Sequence, residues 1–112
     1  MNSQVCVDTN LVLKLVRPES DSFKAQALWE SWASSGVEPI APPLLAFEGT
    51  SVIRKWVHQG VLSPEEGELA FQAFFDLNVE LLYPEGLHWR AWELARQFNR
   101  PQAYDSYYLA LA

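Results

Sequence analysis

Cysteine is almost missing from this sequence: Cys6 is the only one in 112 residues. A framework of internal disulfides is therefore excluded. Cys6 lies inside an apolar run and reads as a buried core thiol, which fits a reducing compartment. His58 and His88 have no metal-ligand spacing with each other or with Cys6, so both read as ordinary surface or edge histidines. Long apolar runs are missing too. No stretch approaches a membrane span, and the N-terminus lacks the basic region and long apolar core of a signal peptide. The expectation is a soluble, cytoplasmic protein with no membrane partner. Basic residues are scarce, with 8 Lys and Arg against 14 Asp and Glu, for a net charge of −6. The cations Lys14, Arg17, Lys24, Arg54, Lys55, Arg90, Arg96 and Arg100 are scattered and form no basic patch. A chain of this charge that handles nucleic acid needs another source of positive charge, and a divalent metal is the obvious one.

What is present belongs to a folded domain. Hydrophobic content is 49% and aromatic content 13%, and the length suits a single domain over residues 1–112. Residues 4–7 are valine-rich and apolar, which suits a strand buried on both faces of a parallel sheet. Thr9 or Asn10 then caps a short helix over 11–16, ended by Pro18. After Ser20-Asp21-Ser22, the residues Phe23, Ala27, Leu28 and Trp32 follow at helical spacing, with Gly36 as the stop. Residues 38–41 suit a second strand. Pro43 fits the first turn of a helix whose stripe is Leu44, Leu45, Val52, Ile53 and Trp56. Ser63 caps the next helix, with Leu69, Ala70, Phe74 and Leu77 as its apolar face. A strand over 79–83 and helices over 86–98 and 103–112 complete the chain. Strand, helix, helix, three times over, predicts an α/β fold with a mostly parallel sheet between helical layers.

Three acids stand apart from the rest. In a parallel sheet, ligands bind at the carboxyl ends of strands, and Asp8 directly follows the first strand. It could equally cap the first helix. Glu48 interrupts an apolar stripe: at about 100° per residue its neighbours are Leu44 and Val52, then Leu45 and Trp56. Such a carboxylate needs a partner, whether an arginine, a snorkelling path to water or a metal. Asp105 neighbours Tyr108, Leu109 and Ala112 on what is expected to be the buried side of the last helix, or else serves as a first-turn acid. Among the other acids, Glu19, Asp21, Glu65, Glu66, Glu68 and Glu85 fall at helix starts or in loops. Converging carboxylates require a cation, and an oxygen-only set points to Mg²⁺ or Mn²⁺ rather than zinc.

The segments "VCVDTNLVLKL", "PPLLAFEGTSVIRKW" and "AYDSYYLALA" resemble, in order, the first three motif blocks of PIN-domain proteins, especially the VapC-type ribonuclease toxins. The resemblance implies a three-layer α/β/α sandwich in which Asp8, Glu48 and Asp105 bind Mg²⁺ or Mn²⁺. Asn10 matches the polar position after the first acid and Ser106 the small residue beside the third; with Thr9 they are the candidate substrate-contacting or supporting residues. The reaction implied is metal-dependent hydrolysis of RNA phosphodiesters, with RNA as substrate and an antitoxin as protein partner. Members of the family normally continue into a further strand that supplies another carboxylate. The helix over 103–112 has no stop signal, so the expectation is a domain whose C-terminal strand is missing and a longer natural product.

Two other readings remain at this point. One is a non-catalytic PIN-like module that binds a partner protein. The other is a phosphatase or phosphoacceptor domain with Asp8 as nucleophile; such folds want a second acid beside the first or a late-strand lysine, and Lys55 is the last lysine. Trp29, Trp32, Trp56, Trp89 and Trp92 are many large rings for a small core. Some are expected to be exposed and to form a homodimer face.

Overall fold

The computed structural model describes residues 3–17 and 20–112. Pro18, the expected end of the first helix, and Glu19 lie outside the described residues. In chain order the elements are β1 (Ser3–Cys6), α1 (Thr9–Val16), α2 (Ser22–Ser35), β2 (Val37–Ala41), α3 (Leu44–His58), α4 (Pro64–Asp76), β3 (Glu80–Leu81), α5 (Leu87–Gln97) and α6 (Tyr104–Leu111).

The sheet is parallel and ordered β1-β2-β3. Ser3 to Cys6 of β1 pair with Val37 to Ile40 of β2, and Ile40 and Ala41 pair with Glu80 and Leu81 of β3. Both crossovers run the same way across the sheet. The right-handed rule then puts α1–α2 and α3–α4 on one face, and α1 indeed packs on α3 and α4. The core on that face is Val7, Val12, Leu13, Ala41, Leu45, Ile53, Ala70 and Phe74. Successive residues of a strand point to opposite faces. Ile40 and Ala41 are both buried, so β2 is covered on both sides. α5 packs against α6 and buries Leu87, Ala91, Leu94 and Ala95. The architecture is the expected α/β fold, with three parallel strands and six helices among the described residues.

Several local expectations need correction. β1 is an edge strand, so Ser3 and Gln4 are exposed and Cys6 is half-buried rather than enclosed. Burial, then the nearby Asp8, still pushes the Cys6 thiol pKa up, which leaves it a thiol at neutral pH. β3 is only two residues long. Trp32 packs on the core, but Phe23, Ala27 and Leu28 are exposed. The inward face of α2 is Ser22, Ala25, Trp29 and Trp32, because the two indoles, 5.9 Å apart, bring more apolar area than Phe23 and Leu28. On α4 the inward face is Gly67, Ala70, Phe74 and Leu77, while Leu69, one position off that line, is 72% exposed. Pro43 stands at the cap of α3, one residue before its first turn. Asp8, not Thr9 or Asn10, caps α1.

Candidate active site

The carboxyl ends of β1 and β2 meet where Val7 N–H donates to Ile40 O at 2.9 Å. The chain then turns into α1 through Asp8, in extended conformation at φ −93° and ψ 167°. Asp8 Oδ1 accepts from Leu11 N–H at 2.9 Å, satisfying one of the otherwise unpaired donors of the first helical turn. Asp8 itself remains exposed. Capping therefore fixes its carboxylate at the mouth of the sheet without burying it, so the capping and functional roles are compatible.

Thr9 turns the other way and is buried. Its hydroxyl donates to Glu48 Oε1 at 2.9 Å and lies 2.8 Å from the Tyr108 hydroxyl. Tyr108 also donates to Glu48 Oε1. Three elements, α1, α3 and α6, thus converge on one carboxylate oxygen. α6 is brought there partly by Cys6, whose Sγ–H donates to the Tyr108 carbonyl at 3.4 Å. Burial first, then the hydrogen bond to the Glu48 carboxylate, pushes the Tyr108 phenol pKa well up. It stays a proton donor at neutral pH. The half-buried Glu48 is thus accommodated by neutral hydroxyls.

Asp105 is placed differently from the expectation. It lies in the first turn of α6, but its side chain is 80% exposed and 3.3 Å from Arg100 Nη2. The buried side of α6 is that of Ser106, at 3% exposure, whereas Leu109 faces solvent. Asp105 precedes Tyr108 by three positions and so lies on a neighbouring strip of the same helix. Asn10 is exposed in the first turn of α1. Among the described residues, no three His, Cys, Asp or Glu side chains are close enough together to hold a metal ion. Asp8 and Glu48 are brought to the same strand end through Thr9; Asp105 instead pairs with Arg100. An oxygen donor set of this kind fits Mg²⁺, which is commonly held by one or two carboxylates with water completing its shell. It does not form an all-protein cage.

The PIN domain family model matches residues 5–112, which takes in all three motif segments. The chain belongs to the PIN-domain family. PIN domains have a nuclease-type fold and are in general metal-dependent nucleases acting on RNA. A search of curated proteins found no match. No helix among the described residues is long and apolar enough to cross a membrane.

The sequence drew attention to Thr9 only as a supporting residue and to Tyr108 only as a neighbour of Asp105. Tyr108 is the contact of Glu48 it missed. The signal was a tyrosine on the same helix as a candidate acid, but its partner lies 60 positions away, and nothing local announces that pairing.

Proposed function

We propose that this chain is a Mg²⁺- or Mn²⁺-dependent endoribonuclease and the toxin of a toxin-antitoxin pair, acting as a homodimer in the cytoplasm. The family match supports the nuclease class. The observation that carries the site is the Thr9–Glu48 hydrogen bond, because it ties the acid on α3 to the strand end where Asp8 stands. Asp8 and Glu48 would hold the ion, with Asn10 and Ser106 beside them, and Asp105 would join as a third ligand by leaving its exposed contact with Arg100. A divalent cation there supplies charge neutralisation and an acidified water. The protein's share is to orient the acids: Asp8 through its cap to Leu11, and Glu48 through Thr9 and Tyr108. With a net charge of −6, the protein repels RNA in the absence of that cation.

The test is cleavage of a fluorescently labelled single-stranded RNA with Mn²⁺, with EDTA, and by Glu48→Gln. Cleavage is expected only with the metal, and strongly reduced in the variant. Undiminished cleavage in EDTA, or none with any divalent ion, would overturn the reading. A neighbouring reading frame with a DNA-binding head would support the toxin assignment.

One observation favours a second reading, a non-catalytic module that binds a partner protein. Asp105 is paired with Arg100 and no three-carboxylate group forms among the described residues. Calorimetric titration with Mn²⁺ separates the two, since the module needs no metal.

A further inference from the structure

The geometry points to Tyr108 as a positioning residue that, together with Thr9, holds Glu48 by one oxygen and leaves the other free for the catalytic cation or its water. This inference rests on the nuclease reading above. A carboxylate oxygen has two lone-pair directions. On Glu48 Oε1 both are taken, by the hydroxyls of Thr9 and Tyr108. Among the described residues Oε2 has no hydrogen-bond partner, and it is not a buried orphan. The carboxylate is therefore clamped on one side and open on the other.

The identity of the clamp matters as much as its position. An arginine at Tyr108 would also orient Glu48, but its charge would cancel that of the carboxylate and compete with any incoming cation. A phenol and an alcohol hold the group while leaving its negative charge for the ion. A free glutamate has three rotatable bonds, and like-charge repulsion from Asp8 would favour turning outward. The two hydroxyls remove that freedom before metal arrives, which is where pre-organisation gains affinity. Tyr108 also fixes α6, and hence the starting point of Asp105, relative to Glu48.

The experiment measures Mn²⁺ affinity without RNA, from the free-ion paramagnetic resonance signal, for the wild-type chain, Tyr108→Phe, Thr9→Val, Thr9→Ser, Glu48→Gln and the Tyr108→Phe/Glu48→Gln pair. Losing one supporting hydroxyl should weaken binding about 10-fold or more, and Thr9→Ser should restore most of what Thr9→Val loses. In the Glu48→Gln background, Tyr108→Phe should add almost no further loss, as expected when two residues act through one group. A Tyr108→Phe affinity within about 2-fold of wild type, or a loss undiminished in the Glu48→Gln background, overturns the inference alone. Absence of Mn²⁺ binding by the wild-type chain overturns it together with the nuclease reading. If Tyr108→Phe does not fold, the contrast between Thr9→Val and Thr9→Ser decides the question by the same criterion.

Discussion

The ring of Phe74 fills the space that a side chain at Gly49 would need. A Cβ built at Gly49 would lie 2.2 Å from Phe74 Cζ, and both residues are buried where α3 crosses α4. Glycine here allows the two helices to close, and that approach seats the helix carrying Glu48. Gly49→Ala should gain about 1 kcal/mol in helix propensity but lose more to overpacking, which costs roughly 1–3 kcal/mol. A net loss of up to about 2 kcal/mol in urea unfolding is expected. Gly67→Ala should be destabilising as well, because its Cβ would run into Cγ2 of Val57, a β-branched side chain held stiff on α3. If Gly49→Ala unfolds at the same urea concentration as wild type, α3 and α4 are not packed this closely.

Asp8 carries a structural and a proposed chemical duty that substitution can separate. Asparagine caps a helix as well as aspartate does, whereas alanine costs about 1 kcal/mol. Asp8→Asn should therefore keep the stability of wild type and lose Mn²⁺-dependent RNA cleavage. Asp8→Ala should lose both. Asp105→Asn should also abolish cleavage without unfolding the chain, because its contact with Arg100 is solvent-exposed and such pairs stabilise little. Wild-type cleavage rates in Asp8→Asn or Asp105→Asn would remove those residues from the site.

The order of elements was legible because each boundary carries its own chemistry. Ser63 and Pro64 start α4 with a complete capping box, and Gly36 ends α2 in the left-handed region at φ 71°. The facing of helices was less legible. α2 and α4 each carry apolar residues on two adjacent strips, and the choice falls to packing: Ala25 and Gly67 allow the close approach that Phe23 and Leu69 do not. Of the site, the position of Asp8 and the anomaly of Glu48 were readable, since one follows a strand and the other breaks a stripe. Two things were not. One is the Tyr108–Glu48 contact, made between distant segments. The other is the outward turn of Asp105, because the last helix is apolar on several sides and periodicity alone cannot say which side is buried.

A pH-dependent consequence follows at the start of α4. Glu66 accepts from the Ser63 backbone N–H at 2.8 Å, and Ser63 Oγ accepts from Glu66 N–H at 3.1 Å. The backbone bond first, then that with the Ser63 side chain, holds the Glu66 pKa below its ordinary value of 4.5. A carboxylate with a lowered folded-state pKa stabilises the fold above the unfolded value, and that support disappears as pH falls through the lowered value. Helix α4 should therefore weaken on acidification below 4.5. Ser63→Ala should move the Glu66 titration, followed by carbon-detected NMR, back toward 4.5 and flatten this part of the acid dependence. An unchanged Glu66 titration in Ser63→Ala would show that the side-chain half of the box contributes nothing.

The tryptophans divide sharply, and the division bears on assembly. Trp29, Trp32 and Trp56 pack against the core, whereas Trp89 and Trp92 on α5 are 73% and 63% exposed. Three positions apart on one helix, the exposed pair lies along a shallow hollow with His88, Ala103 and Tyr107. Exposed indoles side by side are costly in water, and buried tryptophans commonly contribute about 2 kcal/mol or more each to an interface. A homodimer through this face should give a scattering mass approaching twice 12.8 kDa as concentration rises. Trp89→Ser/Trp92→Ser should remain at the monomer mass with an unchanged circular dichroism spectrum, since neither ring supports the core. A strictly monomeric wild-type mass at millimolar concentration would sink the homodimer, and a dimer that survives the double substitution would place its interface on another face.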